Sequence, residues 1–295
     1  MSKIATIGIY DAIHLGHIEI IKKLIKISEL ESLKPKIYIF RETYKREGNI
    51  YTLEDRINIL NKLGINDVEI LDFEHLKNVN YMDFIYRLKN DDVVKLVVGK
   101  DFTFGKNREG NVSKLIELHN YNIIKIEIVE DIINDNINKK ISTNDIYNFI
   151  RIGKISEANS LLITPFSITG IVNKGYSRGK SIGFPTANIS YPENLIKLPD
   201  GVYATQTLID NKIYNSMTSI GIPKMLGDAV YSVETNIFDF NQNIYGKKIK
   251  IYILKKIRDN KKFDSKEEFI NQLMIDKLNS IEIQYNYSQN SNIML

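Results

Sequence analysis

The stretch IATIGIYDAIHLGHIEIIKKLIKI, Ile4 to Ile27, decides how the rest of the chain is read. A strand-like apolar run stops at Asp11. Two histidines follow at positions 14 and 17 around Gly16, and a helical pattern begins directly after them. A buried core has no use for that order of residues, whereas a phosphate does. A helix that starts near Gly16 offers unbonded backbone N–H groups and the positive end of its dipole to an anion. Gly16 lets the backbone approach closely, and His14 and His17 can donate to phosphate oxygens as charge builds in a transition state. A solitary histidine most often packs or caps, which is how His75 and His119 read. The pair between a strand and a helix reads as a site.

At 295 residues the chain has room for two domains. Hydrophobic residues at 43% and charged residues at 26% describe a soluble, globular protein. The 40 Lys and Arg against 36 Asp and Glu leave a net charge of +4, spread along the chain, which speaks against a nucleic-acid binder but allows a local pocket for a phosphorylated ligand. With no cysteine there is no disulfide and no thiolate metal site, as expected in a reducing compartment. The strand pattern starts at once, without an export leader, and no apolar run nears the roughly 18 residues of a membrane span. A cytoplasmic protein without membrane association is expected. The segment NDNINKK, Asn134 to Lys140, reads as a polar loop.

Two rhythms divide the sequence. Up to about residue 160, short apolar strands (Lys3–Ile9, Lys36–Phe40, Asp67–Leu71, Val94–Gly99, Ile123–Val129) alternate with amphipathic helices such as Glu19–Ile27 and the one opened by Thr52 and closed by Gly64. This alternation predicts a parallel sheet with helices on both faces and ligands at the carboxyl ends of the strands. After Pro165 the pattern changes to five β-rich runs, FSITGIV, GVYATQTLI, KIYNSMTSIG, AVYSVETNIFDF and KKIKIYILKKIR, separated by Gly, Pro, Asn and Asp. A helix follows from Ser265, with Glu268 three residues later as in a capping box. The second half therefore reads as a small antiparallel β-barrel with a terminal helix.

Several motifs resemble one family. GIYDAIHLGH is similar to the HxGH signature of the nucleotidyltransferases, in particular the bacterial FAD synthetases, with Tyr10, Ala12 and Ile13 at the usual Phe, Gly and Val positions. VVGKDFTFGKNREGN resembles the second signature through Gly99, Asp101, Phe102, Phe104 and Gly105. ISTNDIYNFIRIGKISEANSLL occupies the place of the third, keeping Ser142, Thr143 and Ile146. Asn144 stands where Thr is usual and Tyr147 where Arg is usual, which removes a guanidinium that a phenol cannot replace; Arg151, one turn on, is a candidate substitute. Further on, GIVNKGYSRGKSIGFPTANIS resembles the riboflavin kinase pattern of a glycine-rich loop followed by Pro-Thr-Ala-Asn, and Tyr245, Gly246, Arg258 and Phe263 match its end. SIGIPKMLGD departs from it, since Pro223 is shifted and the usual Thr is missing.

The resemblance implies a Rossmann-like nucleotidyltransferase domain over 1–158, a riboflavin kinase barrel over 159–284 and a tail at 285–295. It implies phosphorylation of riboflavin to FMN and adenylylation of FMN to FAD, with ATP, Mg²⁺ and flavins as the small molecules involved, in a monomer or weak homo-oligomer. His14 and His17 would act in adenylyl transfer, with Gly8, Asp11, Gly16, Gly99, Asp101, Phe102, Gly105, Ser142 and Thr143 around the nucleotide. In the kinase half Glu234 would be the general base. Gly175, Gly179, Lys180, Gly183, Thr186 and Asn188 would hold ATP, and the Thr186 and Asn188 oxygens would serve Mg²⁺. The alternatives are a working kinase with an eroded adenylyltransferase, or a non-catalytic flavin- or nucleotide-binding regulator.

Overall fold

The computed structural model describes every residue except 42–46, 132, 135–138, 175–178, 180–181, 223–230 and 291–295. The chain divides into two compact units, Met1–Thr143 and Asn144–Leu295.

In the first unit strand and helix alternate through β1 (Lys3–Gly8), α1 (Leu15–Leu30), β2 (Lys34–Phe40), α2 (Leu53–Lys62), β3 (Asp67–Leu71), the one-turn α3 (Phe73–Leu76), α4 (Tyr81–Asn90) and β4 (Val93–Gly99). Short strands β5 (Thr103–Phe104) and β6 (Gly110–Asn111), α5 (Val112–Asn120) and β7 (Lys125–Val129) complete it. Helix α1 buries Ile18, Ile21, Leu24 and Ile27 on one face, the stripe expected of a helix packed on a sheet. Thr52 caps α2 by accepting from the Asp55 N–H at 3.1 Å, and Gly64 takes the left-handed conformation just past its end. The five main strands form a parallel sheet in the order β3-β2-β1-β4-β7. Strand order reverses between β1 and β4, so their carboxyl ends flank the crevice where such sheets take ligands. The residues after β1 carry His14 and His17, and those after β4 carry Asp101 to Gly105.

The Asn134–Lys140 stretch departs from the expected loop. Strands β8 (Ile133–Asn134) and β9 (Lys139–Lys140) pair antiparallel, too short to leave an alternating pattern in the sequence.

Next come α6 (Thr143–Arg151) and α7 (Ile155–Asn159), then β10 (Ser167–Asn173), β11 (Ala187–Ser190), β12 (Gly201–Ile209), β13 (Lys212–Gly221), β14 (Ser232–Ile237), β15 (Lys248–Arg258) and α8 (Lys266–Asn290). The six strands close into a barrel in the order β10-β11-β14-β13-β12-β15. The extra strand, β11, lies in the ANIS segment read as part of a phosphate loop. The barrel interior carries a hydroxyl ladder: Thr205 meets Ser216 at 2.7 Å and Thr218 at 2.8 Å, Thr207 meets Ser216 at 2.9 Å, and Thr218 meets Thr235 at 2.9 Å. All five residues are fully buried, and each hydroxyl replaces lost water with a neighbour.

The compact units meet earlier than residue 158, because α7 packs on the barrel. Ile155 and Ala158 are buried, Asn159 Nδ2 donates to the Ile253 carbonyl, and its Oδ1 accepts from the Phe166 N–H, both at 2.9 Å. The limit at 284 falls inside α8, which runs on to Asn290 because neither Gly nor Pro interrupts it. Ser265 accepts from the Glu268 N–H at 3.0 Å, the cap its spacing predicts. Arg258 Nε donates to both oxygens of Asp276 at 3.0 Å and its Nη2 to Oδ2 at 2.7 Å, fastening α8 to the end of β15. Asp276 is fully buried, so Asp276→Ala strands a mostly buried guanidinium. The expected cost is about 3 kcal/mol, read from urea unfolding of the full chain followed by circular dichroism.

Candidate functional site

In the first unit, His14 is the N-cap of α1 and is 7% exposed. Its Nδ1 accepts from the His17 N–H at 3.3 Å, so a neutral His14 carries its proton on Nε2 as a free donor. His17 lies 2.7 Å through Nδ1 from the Ala12 carbonyl, which can only accept, so that nitrogen is protonated. The two imidazoles stack with centroids 3.8 Å apart, and the Tyr10 ring lies 4.8 Å from His17. Burial holds His14 down to about 2, helped by His17 and Lys140, and it lowers His17 to about 4 against the opposing pull of the Ala12 bond and Asp101. Both rings are therefore neutral at pH 7. The first turn of α1 has no acidic residue, which leaves its dipole free for an anion.

Tyr10 sets the shape of this turn. It is buried with φ of 51°, a conformation that costs a non-glycine residue roughly 1–2 kcal/mol. Its hydroxyl is held by Thr6 Oγ1 at 3.0 Å. A Cβ on Gly8 would lie 2.8 Å from the Tyr10 ring, and one on Gly16 would lie 3.0 Å from the His14 ring. Both glycines thus make room for the site's own side chains. Asp11 is buried and accepts from the Ile50 N–H at 2.8 Å, so it braces the turn from inside.

Across the crevice, Gly99 closes β4 and Phe102 stacks on Phe104, with centroids 5.5 Å apart, against the hydrophobic core. Gly105 has φ of 74°, and a Cβ there would meet the Tyr81 backbone at 3.0 Å. Asp101 is exposed and pairs with Lys140 Nζ at 2.9 Å, which also reaches Asp131 at 2.7 Å. Lys140 acts on both histidines electrostatically, so it joins the two signatures. Ser142 and Thr143 follow it at the start of α6, both half-buried.

In the second unit a cleft of about 820 Å³ opens on the outer face of the barrel, beneath the segment leading into α8. Glu234 on β14 stands in register between Asn188 on β11 and Ser219 on β13. Glu234, Ser219 and Thr186 line the cleft. Asn188 Nδ2 reaches Thr186 Oγ1 at 3.5 Å, and Asn236 Nδ2 donates to the Pro185 carbonyl at 2.7 Å, holding the Pro-Thr-Ala-Asn turn on β14. A Cβ on Gly179 would fall 2.1 Å from the Phe184 carbonyl oxygen, so only glycine fits. Gly183 has φ of 81° and open space around it. Gly175, Lys180 and Pro223 lie outside the described residues. Arg258 and Phe263 also line the cleft, whereas Tyr245 and Gly246 shape the turn into β15, with the Gly246 N–H donating to the Val172 carbonyl.

Residues 1–144 match the family model described as FAD synthetase, and residues 162–283 match the one described as riboflavin kinase. A Bacillus subtilis protein named bifunctional riboflavin kinase/FMN adenylyltransferase is 32% identical over 291 residues, covering 94% of this chain and 91% of its own length. The chain belongs to the bifunctional riboflavin kinase/FAD synthetase family. A relative of the same name from Buchnera aphidicola is 33% identical over 92% of this chain and 90% of its own. A crystal structure from Streptococcus pneumoniae, described as a macrolide-efflux protein, has a TM-score of 0.85 at 30% identity, over 95% of this chain and 94% of that one. Among the described residues of this family member, no helix is long and apolar enough to cross a membrane.

Sequence reasoning missed two residues here. Lys140 was set aside with a polar tract, although its place two residues before Ser142 was the available signal. Arg56 was counted as part of an amphipathic helix, yet it shares a face with Ile59 and Leu60 and is fully buried. Its Nη1 donates to the Ile9 and Phe40 carbonyls at 2.9 and 2.7 Å, and its Nη2 to the Arg41 carbonyl at 2.6 Å.

The depressed histidines give a pH signature. The unfolded chain takes protons on its histidines near 6.5, which folded His14 and His17 resist, so stability is full above pH 6.5 and falls as pH drops towards 4. His14 alone sets a limiting slope of about 1.4 kcal/mol per pH unit. Thermal unfolding across this range should show a flatter pH dependence for His14→Gln than for the wild type.

Proposed function

We propose that this chain makes FAD in two steps, phosphorylating riboflavin in the barrel cleft and adenylylating the resulting FMN beside His14 and His17. The observation that supports the reading is that the two family models match in succession, residues 1–144 and 162–283, with the division into two compact units falling at the end of the first. The family of bifunctional relatives disfavours both the kinase-only and the regulator alternatives. The setting is the cytoplasm, where riboflavin and ATP are the small-molecule substrates.

In the kinase step Glu234 takes the proton from the 5′-hydroxyl of the ribityl chain as that oxygen bonds to the γ-phosphorus of ATP and ADP leaves. Thr186, Asn188 and the backbone around Gly179 and Gly183 hold the triphosphate. Among the described residues no group of three His, Cys, Asp or Glu could hold a metal. The Thr186 and Asn188 oxygens fit a Mg²⁺ that brings most of its ligands as phosphate and water. When bound, the ion would neutralise charge on the transferring phosphoryl group.

In the adenylyl step an FMN phosphate oxygen attacks the α-phosphorus of a second ATP and pyrophosphate leaves. That nucleophile is already anionic, so the site supplies position and charge stabilisation. His14 donates through Nε2–H while neutral. His17 gains a donor at Nε2 on taking up a second proton, which an adjacent triphosphate favours. Lys140 and the α1 N-terminus add fixed positive charge. Asp11, Gly8, Gly16 and Gly105 shape the turns, and Gly99, Asp101, Phe102, Ser142 and Thr143 edge the nucleotide.

Incubation with riboflavin, ATP and Mg²⁺, followed by separation of FMN from FAD, tests the whole reading. Glu234→Gln keeps shape but accepts no proton, so FMN formation should fall by about 10²–10⁴ while added FMN still becomes FAD. His17→Ala should do the reverse. Equal loss of both activities in a folded variant would contradict two separate sites. Tyr147 stands where the family places an arginine, and a charge-assisted contact is worth roughly 1.5–3 kcal/mol. Tyr147→Arg should therefore raise the FAD rate about tenfold or more and leave FMN formation unchanged. An unchanged FAD rate, with Arg151→Ala damaging, would assign the charge to Arg151.

A further inference from the structure

Helix α8 is oriented against the usual rule. The most deeply buried residues of its barrel-facing side are polar: Asp276, Ser280 and Gln284 are all but fully buried. Ser280 Oγ donates to the Ser216 carbonyl at 3.0 Å, and Gln284 Nε2 to the Thr205 and Ser216 carbonyls at 2.7 Å each. Phe269, Leu273, Ile283 and Tyr287 lie half-buried on the same side, yet five further apolar side chains point outward. Met274 is 53% exposed, Ile275 50%, Leu278 67%, Ile281 41% and Tyr285 65%. Together they expose about 500 Å² per copy, as large as the largest patch usual on a monomer. Half-exposed apolar residues scattered singly need no explanation, but these form one stripe.

The spacing of the stripe specifies what covers it. Met274, Leu278, Ile281 and Tyr285 follow steps of four, three and four, the d-a-d-a seam of a heptad repeat. Extending the register back one step places Asn271, also exposed, at an a position. A lone asparagine there is the residue that pairs with its own copy and fixes register in a two-stranded parallel coiled coil. In a parallel pair each g position meets the e position five residues on in the partner. That sets Ile270 against Ile275 and Lys277 against Glu282, one apolar pair and one pair of opposite charges. An antiparallel pair would instead set Glu282 against Ile275. Ser280 and Gln284 are already covered by the barrel, so the free strip is wide enough for one partner helix. Across two copies the buried area is roughly 1,000 Å², the lower limit for a specific interface.

We propose that α8 is a homodimerisation helix, pairing in parallel with α8 of a second copy through Asn271, Met274, Leu278, Ile281 and Tyr285. Modest area and two heptads make the dimer reversible on dilution. Because the full chain has no cysteine, the geometry is directly testable. Mild oxidation of Asn271→Cys should link two chains through the same position, whereas Asn279→Cys, exposed on the flank of the same helix, should not link. Sedimentation of the wild type across a dilution series should show a monomer–dimer equilibrium. Leu278→Glu, which removes two buried leucines per dimer, should raise the dissociation constant about a hundredfold or more while riboflavin phosphorylation is kept. Glu282→Lys should weaken the dimer, and adding Lys277→Glu to it should restore binding. A monomer at every concentration overturns the proposal. So does a dimer indifferent to Leu278→Glu, which would place the interface elsewhere, or a dimer in which Asn279→Cys links and Asn271→Cys does not.

Discussion

A guanidinium removed from water must find acceptors for its donors, and the first unit is arranged around that demand. Arg56 is fully buried, and burial weakens its hold on the proton while the Asp11 carboxylate strengthens it. Its Nη atoms make three hydrogen bonds to carbonyls at or just past the ends of β1 and β2, while its buried Nε has no partner among the described residues. Arg56 thereby fixes the height at which the chain leaves β1, and the turn to His14 starts from that point. Tyr10 can then hold its costly backbone conformation, since Thr6, Gly8 and His17 all constrain its ring. The second unit repeats the device with Arg258 and Asp276, which set the segment covering the barrel cleft. In both halves one hydrogen-bonded arginine, fully buried in the first and mostly buried in the second, holds a segment at the candidate site.

The two candidate centres differ in the chemistry their nucleophiles require. A hydroxyl has a proton to lose, and the barrel cleft offers Glu234 beside two side-chain oxygens. A phosphate has none, and the crevice of the α/β unit offers neutral histidines, a lysine and a helix N-terminus. Neutrality there follows from burial. An uncharged ring costs less to bury, and a neighbouring anion would favour its protonated form. The same burial that makes the histidines responsive to phosphate makes the fold sensitive to acid.

Much of this was legible in the sequence. The period of the apolar residues gave the parallel sheet, whereas the strand order that sets His14 and Asp101 after neighbouring strands came from the structure. What pattern could not give was the reason for particular residues. Gly16 read as an opening for a phosphate, and its missing Cβ also clears space for the His14 ring, as that of Gly8 does for the Tyr10 ring. Asp11, which the resemblance sets at the nucleotide, also braces the turn by accepting from the Ile50 N–H. Lys140 was hidden because a short hairpin in an Asn- and Lys-rich tract has no periodicity. Strand β11 was hidden because four residues after a proline turn look like the end of a loop. For Asp11 and Lys140 the missing information was a tertiary neighbour.

Helix α8 shows the limit of reading burial from hydropathy. An apolar stripe at helical spacing normally marks the face that packs inward. Here the barrel presents backbone carbonyls of Thr205 and Ser216 at the helix, and an apolar face laid on them would leave buried acceptors without donors. Such a loss costs about 1–3 kcal/mol per group, comparable with burying a leucine. Gln284 and Ser280 satisfy those carbonyls, and Asp276 does the same for Arg258, so all three polar residues must face the barrel. The helix has only one other side on which to put Met274, Leu278, Ile281 and Tyr285. With Phe269, Leu273, Ile283 and Tyr287 half-buried beside the polar residues, the outward seam is the face that remains, and its heptad spacing is what the proposed interface rests on.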